Sequence, residues 1–366
     1  IMFDKEVITV RSGFPRTESK SSPNEKNQIY QGHVNLLSII HTKKDILCCK
    51  YTEDNKDIAV GFPDGTIKLF DTNNGSCTHN LVDAECRAHP APVTAIKHRP
   101  HSDTYPITNT LLSTYVNGCI KCWKYKCNQC LYTIREKRQA LGLNYHPRVS
   151  KLVTYGDDSK INMYNEETQT LERAFHGSNE IRRDGHTSRI FACDFHPLSS
   201  HEFISGGWDD HVMCWDDRQP YPTKHFRSVH MCGEGLNFDK TGKEILTCSW
   251  QDKNNIQMWD YATCKVIETI VPDNVQSKLY CGKLVPKTNL IICGGSQNNV
   301  LRLIDAKLKV TLCSVRNNPS GILGFDLGTV RRKPKVANKV NIPNEIQDTP
   351  RVAFITGKQL QTVDFG

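Results

Sequence analysis

The sequence predicts an all-β fold: a seven-bladed β-propeller of four-stranded antiparallel blades, its ring closed by an N-terminal strand in the last blade. Three observations carry this. Between Gly185 and Arg218 the chain passes through three short apolar stretches, 190–195, 203–207 and 212–215, each bounded by Pro, Ser, Gly or Asp. That is the pattern of strands between turns. The last stretch belongs to a six-residue unit, aliphatic at its second position and usually bulky and apolar at its fifth. The unit occurs seven times: TIKLFD (66–71), CIKCWK (119–124), KINMYN (160–165), HVMCWD (211–216), NIQMWD (255–260), VLRLID (300–305) and QLQTVD (359–364). The units end at 71, 124, 165, 216, 260, 305 and 364, hence steps of 53, 41, 51, 44, 45 and 59 residues. Periods of that size mark propellers and solenoids.

The elements follow in order. Residues 5–10 alternate like a strand, with no blade-opening signal before them. Residues 11–29 are rich in Ser, Pro, Lys, Glu and Asn and are expected to form a mobile loop. Blade 1 occupies 41–83, with strands near 46–51, 57–61, 66–71 and 77–82 and Asp64 in its turn. Asn74, Gly75 and Ser76 form a glycosylation-type triplet, but Asn-Gly between alternating runs is expected to be a hairpin turn. Blade 2 (88–135) opens on Ala88 and His89, carries an insertion near 101–106, and has Asn117 in its turn and Trp123 at its close. Blade 3 (139–175) has no opening histidine and uses Asp158 and Tyr164. Blade 4 (185–227) is complete at every position. Blade 5 (230–272) holds Trp250, Asp252, Trp259 and Asp260, and blade 6 (277–315) holds Asn298, Ile304 and Asp305. Blade 7 (320–366) has three strands and a basic loop at 330–349. An open ring would expose unpaired strand edges, so strand 5–10 is expected to complete blade 7. Removal of residues 1–12 should then lower the melting temperature sharply.

Gly185-His186, the turn residue Asp209 and the closing Trp215-Asp216 resemble the repeat of the WD40 family, and the spacing extends the resemblance over nearly the whole chain. The resemblance implies that His186, Ser205, Asp209 and Trp215 form a buried hydrogen-bonded tetrad, repeated in part in blade 2 by His89, Ser113, Asn117 and Trp123. It also implies that partner contacts come from the residue before the turn aspartate and from the start of the innermost strand. Here those positions are Arg189, Phe191, Trp208, Glu234, Trp250 and Tyr280, against the alternative that Phe191 and Trp208 only pack between blades. Trp215, Asp216, Asp217 and Arg218 resemble the WDxR box of WD40 substrate receptors that dock on the adaptor of a cullin-RING ubiquitin ligase. Arg218 is therefore a ligase-adaptor candidate, or else a surface ion pair.

A Ser, His, Asp set invites a catalytic reading, but a triad needs an exposed nucleophile and an oxyanion site. Partial copies in one chain argue for structure instead. Cys119, Cys122, Cys127 and Cys130 have paired spacing, yet the first two alternate on one strand and should face opposite ways, which disfavours zinc. No phosphate-binding, metalloprotease, nucleophile-elbow or dinucleotide motif is present, so no catalysis and no cofactor are expected.

Sixteen cysteines, mostly within strands, read as small buried hydrophobes in a reducing compartment. The first ten residues have neither the basic start nor the apolar run of a signal peptide, and no apolar run could span a membrane. A location in cytoplasm or nucleus is expected. The formal charge of +8 is diffuse except at Arg331–Lys335, where a solvated loop is favoured over a nucleic-acid contact. The expectation is a protein-interaction scaffold within a multi-subunit complex. A ubiquitin-ligase receptor and, further off, a nucleic-acid-associated propeller are the alternatives.

Overall fold

The computed structural model describes residues 8–10, 28–101, 106–177, 184–328 and 351–365. The expected loop 11–27 and the basic loop 330–349 lie outside these. The described strands form seven antiparallel sheets, built in chain order from an inner strand outward except where N-terminal strands join the outer edges of blades 6 and 7. The inner strands are Cys48–Tyr51, Val93–Lys97, Ala140–Tyr145, Ile190–Phe195, Leu236–Phe238, Lys278–Leu284 and Ile322–Leu327. Each packs beside the next, and the last packs against the first, which makes the ring.

The apolar core follows from the period of two along each strand. Both faces of a blade are covered by neighbours, so the strands are buried nearly throughout, as in Glu202–Gly207 and Leu290–Ser296. The buried residues fall into seven clusters, each shared by two successive blades. Trp215, for example, lies with Phe175 and Phe203 between blades 3 and 4. The Asn74-Gly75 pair does sit in a hairpin turn, with Gly75 at φ +69°, a conformation that glycine adopts without steric cost.

The N-terminal part of the chain closes the ring in the last blade, and it does so with two strands. Val34–His41 pairs directly with the final strand, Gln359–Phe365, from Val34 opposite Phe365 to His41 opposite Gln359. Ile8–Val10 pairs on the far side of Val34–His41 as a fifth strand. The longer segment takes the inner place because it has apolar side chains to bury: Val34 and Leu36 pack against the cluster between blades 6 and 7, and Ile40 lies in the one between blades 7 and 1. Residues 41–45 therefore lead into blade 1 rather than open it. A second addition, Ile29–Gln31, lies along the outer strand of blade 6, Val310–Arg316.

His89 does not open blade 2. It is exposed and caps the C-terminus of a five-residue helix, Ala84–Ala88, where its N–H bonds the Glu85 carbonyl at 2.8 Å. Asp83 caps the other end through the Cys86 N–H, so Asp83 and the residues after it form a helical turn between blades 1 and 2.

Candidate functional site

In blade 4 the strand register sets Ser205 beside Met213 and Phe203 beside Trp215, which brings the hydroxyl under the indole edge. The Trp215 Nε1–H donates to Ser205 Oγ at 2.7 Å, and Ser205 Oγ lies 2.7 Å from His186 Nε2. His186 Nδ1 lies 2.9 Å from Asp209 Oδ2, which also accepts the Thr187 N–H. An ionised carboxylate can only accept, so Nδ1 donates to Asp209 and Nε2 accepts from the serine hydroxyl. Every donor and acceptor is used. Burial alone would raise the Asp209 carboxyl, but the bonds from His186 and Thr187 hold it below the usual carboxylate range. Ser205 is fully buried and the imidazole side chain is covered, so this set presents no nucleophile to a substrate.

Other blades build the same lock from different residues. In blade 2, Trp123 donates to Ser113 at 2.9 Å, and the Tyr115 hydroxyl stands 3.3 Å from Ser113 in the place expected for His89. In blade 5, Trp259 donates to Thr247 at 3.1 Å. Blade 3 uses charge. Arg138 bonds the turn residue Asp158 at 2.7 Å, Thr154 Oγ1 at 2.9 Å and Glu136 at 2.7 Å, while Tyr164 donates to Glu136 at 2.7 Å. Arginine thus stands where blade 4 has histidine. The sequence shows Arg138 just ahead of the inner strand, but a charged residue at a strand start gives no signal of burial.

The expected partner positions gather, with one exception, into a continuous row over one end of blades 4 to 6. Arg189 lies just before the inner strand Ile190–Phe195, Lys278 opens the inner strand Lys278–Leu284, and His230 lies in the segment that leads to Leu236–Phe238, while Trp208 and Trp250 lie in the turn after a second strand. The backbone sets them side by side: Trp208 N–H bonds the Arg189 carbonyl at 3.0 Å, and Trp250 N–H bonds the His230 carbonyl at 2.8 Å. The side chains then alternate. The Arg189 guanidinium lies 5.2 Å from the Trp208 ring, and His230 stacks at 6.2 Å from Trp208 and lies 6.1 Å from Trp250. The Lys278 ammonium lies 4.5 Å from the Trp250 ring. Phe191 extends the row at 5.4 Å from Trp208, and Tyr280 at 6.4 Å from Trp250.

Carboxylates flank the row. Asp210 pairs with His230 at 2.6 Å and Asp252 with Lys278 at 3.4 Å. Trp208 is 42 % exposed, although its indole N–H reaches Cys232 Sγ at 3.0 Å. The Trp250 indole N–H is buried with no acceptor. His230 and Lys278 were not singled out from the sequence. Their place shows only in the fold, where the His230 carbonyl accepts the Trp250 N–H as the Arg189 carbonyl accepts that of Trp208.

Glu234 is the exception. It turns into the central channel and pairs with Lys97 from the opposite side of the ring. Arg218 is exposed and forks onto Asp216, with Nε at 2.8 and 3.1 Å from its two oxygens. The cysteines of blade 2 do not converge: Cys119 Sγ faces Glu85 at 3.8 Å, Cys130 Sγ faces the Tyr132 carbonyl at 3.5 Å, and Cys127 is exposed. No helix among the described residues is long and apolar enough to cross a membrane.

Comparison with known proteins finds the same repeat. The family model described as "WD domain, G-beta repeat" matches residues 25–71 and 178–216. The chain is 21 % identical over 277 residues to Pre-mRNA-processing factor 17 of Saccharomyces cerevisiae, covering 74 % of this chain and 55 % of that protein. It is 24 % identical over 176 residues to Periodic tryptophan protein 2 of Arabidopsis thaliana, covering 47 % of this chain and 17 % of that one. It is 24 % identical over 188 residues to WD repeat-containing protein 25 of Mus musculus, covering 50 % of this chain and 33 % of that one. The chain therefore spans about half or less of the length of these relatives.

Proposed function

The chain belongs to the WD40-repeat family of β-propellers, and on that premise we propose that it is a non-catalytic scaffold whose partner-binding face is the row from Arg189 to Tyr280. The observation that supports this most is the row itself. Two tryptophans, a phenylalanine, a tyrosine and three cationic or imidazole groups are concentrated on one end of three adjacent blades, and Trp208 is left 42 % exposed. Tryptophan, tyrosine and arginine are the residues that dominate binding energy at protein interfaces. Internal stacking holds these side chains in place, so little rotamer freedom is lost when a partner binds.

The partner is a protein within a larger assembly. By its name, one relative is a pre-mRNA-processing factor and another a periodic tryptophan protein, and these names do not point to one assembly. No observation favours a ligase-receptor role, since Arg218 forms a two-point contact with its neighbour Asp216. The carboxylates of Asp210 and Asp252 along the row oppose a nucleic-acid backbone.

The test is co-precipitation with Phe191→Ala and Trp208→Ala. Both variants should keep the wild-type melting curve within a few degrees and lose a specific set of partners. Folded variants that retain every partner would remove this face from consideration.

A further inference from the structure

The central channel holds a feature that the partner face does not use. Near its end each inner strand sends one polar side chain toward the axis, and blades 1 to 7 supply in turn Lys50, Lys97, Asn144, Asp194, Asn237, Lys283 and Asp326. These are equivalent positions. Each pairs with the residue just before the Ser205 position of its own second strand, as Asp194 does with Ile204, Lys97 with Leu112 and Asp326 with Ala353.

The two aspartates do the same structural work. Asp326 Oδ2 accepts the Tyr51 N–H of the next blade at 2.9 Å, and Asp194 Oδ2 accepts the Phe238 N–H of the next blade at 2.8 Å. Their counter-charges differ. Asp326 is flanked in the ring by Lys50 and Lys283 and bonds both, at 2.9 and 3.3 Å. Asp194 is flanked by Asn144 and Asn237, and among the described residues no cation lies within ion-pair distance of it. The Asn144 amide lies 3.4 Å from Oδ1, the Phe195 N–H also bonds the carboxylate, and Lys97 and Lys283 act on it through space without contact. Burial pushes its carboxyl up to about 6.

Beside Asp194 lies a cavity of about 290 Å3, lined by Asn144, Asn237, Lys50, Lys97 and Lys283. Lys97 is matched by Glu234, but one carboxylate, Asp326, serves both Lys50 and Lys283. Contact by contact, the three lysines meet two carboxylates, Glu234 and Asp326, while Asp194, in the same lining, touches no cation. A bare cation would meet the lysines and a bare anion would meet Asp194.

We propose that this channel cavity binds a small zwitterion of the α-amino-acid class, with its ammonium on Asp194 and its carboxylate between Lys50 and Lys283. Such a ligand supplies both missing charges in one molecule, in a site sheltered enough for charge-assisted hydrogen bonds to be strong. The inference is independent of the partner face.

Isothermal titration of the purified chain tests it, with the common free L-amino acids as probes and methylammonium and acetate as single-charge controls. At least one amino acid should bind the wild type and raise its melting temperature, and the single-charge controls should not. Asp194→Asn keeps a carbonyl oxygen for the Phe238 N–H and so preserves the fold, but it should weaken binding at least about tenfold, the effect of losing one modest ionic contact. Lys50→Gln should weaken it as well, from the other end. Wild-type protein that binds no amino acid, or an Asp194→Asn variant that binds as tightly as wild type, would overturn the proposal.

Discussion

Asp209 and Asp194 are buried carboxylates whose environments push them in opposite directions. Asp209 is held below its ordinary value, so its bonds to His186 and Thr187 contribute stability above the usual carboxylate range, and that contribution is lost as pH falls through the folded value. Removing this side chain leaves the buried imidazole N–H without an acceptor, and Asp209→Ala should cost roughly 1–3 kcal/mol. Trp215→Ala empties a fully buried site and should cost about 3–5 kcal/mol in a denaturant titration. Asp194 is raised from 3.8 to about 6. Its folded form prefers the proton, so its favourable contribution is complete below about pH 4 and is lost as pH rises through 6. Asp194→Asn should therefore raise the melting temperature at pH 7 and flatten its dependence on pH between 4 and 6. A steeper dependence in the variant would contradict this. His186, Ser205, Asp209 and Trp215 were legible because they are spaced as a unit. Asp194 was not, because a lone aspartate in a strand does not announce which way it points.

The blade is the next unit, and its lesson is that one lock has several chemical forms. Trp215 with Ser205 and Trp259 with Thr247 keep the hydroxyl-to-indole bond, whereas blade 3 replaces the imidazole with the Arg138 guanidinium and the indole with Tyr164. Glu136 and Arg138 are both almost fully covered. Removing one partner of such a pair leaves a buried charge, so Arg138→Ala should cost about 3–5 kcal/mol, as much as losing a blade-closing tryptophan. His89 misled because Ala88-His89 imitates a Gly-His opening, while Asp83 three residues before Cys86 caps a helix instead. The strand Val34–His41 escaped notice for another reason. It lies after a polar segment and before blade 1, and only its pairing with Gln359–Phe365, more than three hundred residues away, gives it a function. Such long-range pairing leaves no local trace. Deleting residues 28–41 should abolish cooperative thermal unfolding. Deleting residues 1–12, which removes the outer strand Ile8–Val10 and leaves Val34–His41 in place, should lower the melting temperature by a smaller step.

At the scale of the whole molecule the ring divides labour between its edges and its axis. The clusters between blades hold the ring together, the axis carries a ring of polar side chains in which Asp326 and Asp194 each bond the backbone of the next blade, and the row on blades 4 to 6 is the proposed partner face. The seven blades were visible from the period of the six-residue units, because the strand pattern repeats with the fold. The row was visible only in part: Arg189, Phe191, Trp208, Trp250 and Tyr280 were candidates, but His230 and Lys278 complete it and Glu234 leaves it for the channel. The partner face is the central claim, and site-specific photo-crosslinking addresses it most directly. A photoreactive amino acid at position 208 should capture a discrete partner, whereas the same residue at Leu171, an exposed position on the outer strand of blade 3, should capture none. Equal capture at both positions, or capture at Leu171 alone, would contradict the account.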